Sequence, residues 1–172
     1  MFAFDANLHT LIATALQALT GTGITTVENG CPTNVVKSVG SQFFSVLGDA
    51  CFQFVTNDDV PFETAQKTCR QHNGTLAMPK TKYINDFLLQ EMQRRQQLKP
   101  MWIGMQDTIR EGIYVWEDGS QVRHWGNMHY FNGEPFSSGE DCLALNPLDW
   151  QWHDFDCSNE KHSFICQYDV QS

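Results

Sequence analysis

Apolar residues near the start of the chain recur at three- and four-residue steps, at Phe4, Leu8, Leu11, Ile12, Ala15, Leu16 and Leu19. That spacing places them on one face of a helix, with Asp5 as its cap and Gly21 and Gly23 as its end. Such a face needs a partner: the domain that follows, copies of itself in a short coiled bundle, or another part of a longer parent. The next segment, GITTVENGCPTN, is polar and rich in turn formers, so residues 1–30 are read as helix and linker and residues 31–169 as the domain proper. In SQFFSVLGDACFQFVTND large apolar residues alternate with small or polar ones about a Gly-Asp turn, which predicts a hairpin. Pro61, at an early helical position, opens a helix that carries Phe62, Ala65 and Cys69 and closes at Asn73-Gly74. Thr81 caps a second helix whose stripe is Ile84, Phe87, Leu88 and Met92, with Pro100 beyond its end.

Past Pro100 the pattern changes. MWIGM and IYVWED read as short strands, HWGNMHYFNGEPFSSG as a long aromatic loop, and DCLALN, DWQWHDFDC and HSFICQYD as strands again. A long irregular loop inside a compact domain is usually functional or disordered, and the aromatic content argues against disorder. Hairpin, two helices, strands, long loop and strands, in that order, predict an α+β fold.

Composition narrows the classes. The chain has 172 residues, 41% of them hydrophobic, enough for one domain and an appendage. Twenty acidic against eleven basic side chains leave a formal charge of -9, which repels nucleic acid and anionic membranes and suits divalent cations or cationic partners. No run approaches the ~20 apolar residues of a membrane span. The N-terminal segment is read as mature sequence, because Asp5 stands where an export signal carries basic charge and polar residues interrupt the apolar stretch. Six cysteines without a CxxC pair point to disulfides rather than to a zinc ribbon, and the Asn73-Gly74-Thr75 sequon agrees with secretion.

Taken together, Trp102-Ile103-Gly104, Glu134-Pro135 in the long loop, Trp152-His153-Asp154 and the order Cys69, Cys142, Cys157, Cys166 resemble a C-type lectin-like domain over about Cys31 to Tyr168. The resemblance implies two helices flanking short antiparallel sheets with a long irregular loop region, here preceded by the N-terminal helix. It implies the pairs Cys69 with Cys166 and Cys142 with Cys157, and a further pair, Cys31 with Cys51, as in the family's long form. Closing a loop of ~15 residues, such as 142 to 157, contributes about 3 kcal/mol. Trp102 and Ile103 are expected in the core.

The same resemblance implies two calcium sites. Asp107 and Glu111 would join Glu140 and Asp141 in the family's auxiliary site, with Ser137 where a fifth acidic ligand is expected. In the principal site Glu134, Glu140 and Asp154 stand at matching positions, but Phe136 and His153 replace two asparagines. Each asparagine would give calcium a carbonyl oxygen and a sugar hydroxyl an amide donor. Phe can do neither, and an imidazole nitrogen is a softer ligand than calcium prefers.

The expected function is therefore an extracellular, secreted, non-catalytic recognition module that binds Ca²⁺ at the auxiliary site. Its principal sugar site is degenerate, and its ligand is a protein surface or an atypical glycan. The ligand-binding set is Glu134, Phe136, His153, Asp154, Tyr130 and Phe131, with Trp125, Trp150 and Trp152 either extending that aromatic surface or packing under the loop. Two alternatives stand beside it: a genuine carbohydrate-binding lectin, and an acidic structural or matrix protein assembled as a homo-oligomer through the N-terminal helix. A zinc hydrolase built on His124, His129 and His153 with Glu134 and Asp154 is disfavoured, because no HExxH spacing, nucleophile elbow or phosphate loop occurs.

Overall fold

The computed structural model describes residues 27–28, 31–39, 43–122 and 139–170. The apolar stripe from Phe4 to Leu19 and most of the long loop lie outside these residues. In chain order the elements are β1 (Val27–Glu28), β2 (Cys31–Pro32), α1 (Thr33–Val39), β3 (Phe44–Leu47), β4 (Ala50–Val60), α2 (Phe62–Arg70) and β5 (Thr75–Leu76). They continue with α3 (Lys82–Arg94), β6 (Met101–Gln106), β7 (Val115–Trp116), β8 (Cys142–Asn146), β9 (Gln151–Phe155) and β10 (His162–Asp169).

β3 and β4 form the expected hairpin about Gly48-Asp49, with Gly48 at φ +61°. Thr81 caps α3 as expected, its hydroxyl oxygen accepting the Ile84 N–H at 3.2 Å. Pro61 differs slightly from expectation: its ψ of 155° makes it the extended residue before α2 rather than part of the helix. IYVWED contributes only the two residues of β7. α1, beginning at the end of a stretch read as turn-rich, is a further helix; its Val35 and Val36 are buried, so tertiary burial overrides the weak helix preference of β-branched residues.

The main sheet runs β3-β4-β10-β6-β8-β9, with β5 beside β10 and β7 beside β6. Every pairing is antiparallel except β10 with β6, where Ser163 and Phe164 run parallel to Met101 and Trp102. Successive strand residues point to opposite faces, and the core divides accordingly. Met101, Ile103 and Met105 of β6 join Phe52, Phe54 and Ile165 against Leu88, Leu89 and Met92 of α3. Trp102, on the other face, packs with Phe62, Ala65 and Cys69 of α2 and with Phe164 and Cys166. Its indole N–H donates to the Val60 carbonyl at 2.8 Å, so this large core side chain is also satisfied.

Three disulfides close the structure: Cys31–Cys51, Cys69–Cys166 and Cys142–Cys157. The second ties α2 to β10 across 97 positions, and the third joins the start of β8 to the turn after β9. Among the described residues no helix is long and apolar enough to cross a membrane.

Candidate functional site

Asp107 follows directly on β6, where the strand gives way to a tight loop. Its carbonyl accepts the Arg110 N–H at 3.0 Å, and its Oδ2 accepts the Gly112 N–H at 2.7 Å, which winds residues 107–112 around the carboxylate. Gly112 sits at φ +75°, a conformation that costs a side-chain-bearing residue. The Asp107 N–H in turn donates to the Asp141 carbonyl at 3.0 Å, so the loop after β6 is fastened to the segment entering β8. The Asp107 side chain is therefore buried, with the residue only 1% exposed, and its Oδ1 has no hydrogen-bond partner.

A buried carboxylate oxygen without a donor is costly unless the group protonates or meets a cation. Burial pushes the Asp107 carboxyl above the ordinary range, and the nearby charges of Glu111 and Asp141 push in the same direction. Asp154, on β9 opposite Leu143, is raised first by burial and then by Glu140. Tyr114 lies within reach of both groups: burial raises its phenol, and Asp107, Asp154, Glu111 and Asp141 add to the shift. The loop of β6, the entry to β8 and the middle of β9 thus bring Asp107, Glu111, Glu140, Asp141 and Asp154 into one electrostatic neighbourhood. Among the described residues, however, no three such side chains stand close enough together to form a ready cation cage.

His153 neighbours Asp154 and is held by contacts of its own. Its Nε2 lies 2.7 Å from Asp149 Oδ2, and its ring stacks on Phe155 at 6.4 Å between centroids. Asn146 brings its amide to 3.4 Å from the same ring nitrogen. Of the tryptophans, Trp152 is buried and donates its indole N–H to Asn85 Oδ1 at 2.7 Å, whereas Trp150 is 42% exposed. Trp152 is consequently core, and among the described tryptophans Trp150 is the exposed one. Glu134, Phe136, Tyr130 and Phe131 fall outside the described residues, as do Trp125, His124 and His129.

Sequence reasoning missed Tyr114 and the Asp149–His153 pair. Tyr114 reads as an ordinary strand aromatic in EGIYVW, and nothing local marks it as the residue between two acidic groups. The Asp149–His153 pair is created by the β8–β9 turn, which folds Asp149 back over the strand that carries His153.

The family model described as lectin C-type domain matches residues 58–168. Collectin-10 of Gallus gallus is 31% identical over 122 residues, covering 70% of this chain but 42% of its own length. The chain thus spans less than half of that curated relative. Lectoxin-Phi1 of Philodryas olfersii, described as a C-type lectin, is 32% identical over 130 residues, with 69% of this chain and 77% of the toxin covered. Among solved structures, the mouse scavenger receptor C-type lectin carbohydrate-recognition domain superposes with a TM-score of 0.64 at 26% identity, covering 76% of this chain and 96% of that one.

Proposed function

The chain belongs to the C-type lectin domain family, and we propose that it is an extracellular, non-catalytic recognition module stabilised by calcium, with a protein surface or an atypical glycan as its ligand. The observation that carries the calcium reading is the buried, unpartnered Oδ1 of Asp107 beside Glu111 and Asp141. Calcium takes six to eight hard oxygen ligands, and this neighbourhood supplies only oxygen. Asp107, Glu111, Glu140 and Asp141 would hold the ion, which would offset the repulsion that otherwise keeps the carboxylates from converging. Within this set Asp107 is the fixed member, held by Gly112 and by the main chain of Asp141. Glu111 and Glu140 are exposed at the rim of the set.

The reading of the ligand rests on the second group. Phe136 replaces an amide that would grip both calcium and sugar, and His153 is engaged by Asp149 beside Phe155. On the family pattern the acidic companions of Asp154 would be Glu134 and Glu140, all of them acceptors, so sugar hydroxyls would lack the amide donors that orient them. The family's ordinary calcium-bridged grip on vicinal hydroxyls is weakened, and aromatic surface around Phe136, Tyr130 and Phe131 takes its place as the contact. A genuine lectin is the second reading, favoured by the 26% identity to a domain named for carbohydrate recognition.

Thermal melting with calcium and with chelator tests the metal. At about a hundredfold excess over Kd the ion stabilises by about 2.7 kcal/mol, which moves Tm upward by about 5–10 °C in a domain of this size. The Asp107→Asn variant should lose that shift. Identical melting curves in calcium and chelator would remove the metal from the account. A glycan array run under both conditions separates the two ligand readings: strong calcium-dependent retention on simple mannose or galactose would make this a conventional lectin.

A further inference from the structure

Away from the acidic loops, the turn between α2 and β5 opens onto a groove of about 410 Å³. Asn73, Gly74 and Thr75 line it together with Met78, Ile84 and the Lys80–Asp118 ion pair. Gln167 and Asp169 of β10 complete the lining. Asn73, Gly74 and Thr75 are an Asn-X-Thr acceptor sequence, in which the carboxamide nitrogen is glycosylated with help from the hydroxyl two positions on. Asn73 is exposed and adopts φ +59°, the left-handed conformation that asparagine tolerates better than most residues at a helix end. Gly74 is dictated by space, since a Cβ there would lie 2.4 Å from Tyr168 Cε1 and 2.8 Å from the Gln167 carbonyl oxygen. Thr75 in β5 is half-buried and lines the same groove as Asn73. The sequon is therefore held in one fixed shape, with its acceptor at the mouth of a concave surface.

We propose that Asn73 carries an N-linked oligosaccharide whose first N-acetylglucosamine units lie along this groove instead of standing free in solvent. Three disulfides fit an oxidising compartment of the kind in which such transfer occurs. In the transfer, Asn73 Nδ2 forms a bond to C1 of an oligosaccharide carried on a lipid diphosphate. The C1–oxygen bond to the diphosphate breaks, the lipid diphosphate leaves with the electron pair, and the amide proton passes to a base of the transferase. The groove suits what is attached. A pyranose has apolar faces and a polar rim, and here Met78 and Ile84 offer apolar surface beside the charged Lys80 and Asp118. Its volume lies within the range of small-ligand sites, about 300–1,000 Å³.

The test is expression of the full chain in a eukaryotic secretory host, followed by intact mass before and after peptide N-glycosidase treatment. One glycan at Asn73 is expected, absent from Asn73→Gln and from Thr75→Val, the latter keeping a β-branched residue in β5. Hydrogen exchange is then compared between protein trimmed to the first two sugars and fully deglycosylated protein. Protection of the amides around Met78–Lys80 and Asp118–Ser120 should fall severalfold on removal. Secreted protein with Asn73 unmodified would overturn the proposal, and so would a modified Asn73 whose removal leaves those amides unchanged. Neither outcome depends on calcium or on the ligand of the long loop.

Discussion

His162 is wedged between Trp102 and Phe155, with ring centroids 4.6 Å and 4.4 Å away, and its Nε2 has no hydrogen-bond partner. Burial lowers its pKa; Glu160 and Asp59 pull the other way, and Lys99 adds slightly to the fall. The folded chain therefore resists a proton that the unfolded chain accepts. Stability from this residue is fully present above the ordinary value of 6.5 and is lost as pH falls from there towards the depressed folded-state value. Melting between pH 7.5 and 5 should show a steeper decline for the native chain than for His162→Phe, and parallel declines would show that His162 is not the source. Single residues also show what the sequence conceals. Trp150 and Trp152 are two apart and by strand alternation would share a face, yet one is exposed and the other buried. The reason is local: Trp150 takes φ +62° in the turn before β9, which breaks the alternation that WQW suggests. Asp107 was legible as a candidate ligand only through the family pattern, because its burial depends on Gly112 and on the main chain of Asp141, thirty-four positions away.

At the level of elements, α3 and β9 are joined by a hydrogen bond that neither segment announces. Asn85 sits on the buried face of α3, interrupting the stripe of Ile84, Leu88 and Met92, and accepts the Trp152 indole N–H. Replacing Asn85 with alanine leaves that N–H buried and unpaired, a loss of about 1–3 kcal/mol to be read from urea denaturation. A cost under a few tenths of a kcal/mol would mean that water substitutes for the amide. Glu91 interrupts the same stripe one turn and a half further on, where it accepts from Ser45 of β3 and pairs with Arg94 and Arg95. The apolar stripe and the Thr81 cap were readable because they are local and periodic. Asn85 and Glu91 were not, since their partners belong to strands remote in sequence. The same distinction explains α1, whose burial of Val35 and Val36 follows from neighbours outside its own segment.

For the molecule as a whole, the strand order β3-β4-β10-β6-β8-β9 could not have been derived from periodicity, which locates strands but not their neighbours. The cysteine pairing was accessible only through the family resemblance, yet it organises everything else. Cys69–Cys166 closes a span of 97 positions, and for a loop near that length the chain-entropy contribution is about 4–5 kcal/mol. The double variant Cys69→Ser, Cys166→Ser should lose a comparable amount in chemical denaturation and fail to stay folded at 37 °C; unchanged stability would place the burden on the core alone. The three crosslinks have a mechanical corollary as well. A pull applied at Cys31 and Val170 passes through the sulfur bridge to Cys51, along the backbone to Cys69, through the next bridge to Cys166, and out. Residues 32–50 and 70–165 are bypassed by that path. A tethered copy under tension could stretch only within 51–69 and the last few residues of β10, while the loops carrying Asp107, Glu111, Glu140 and Asp154 bear no load and keep their shape.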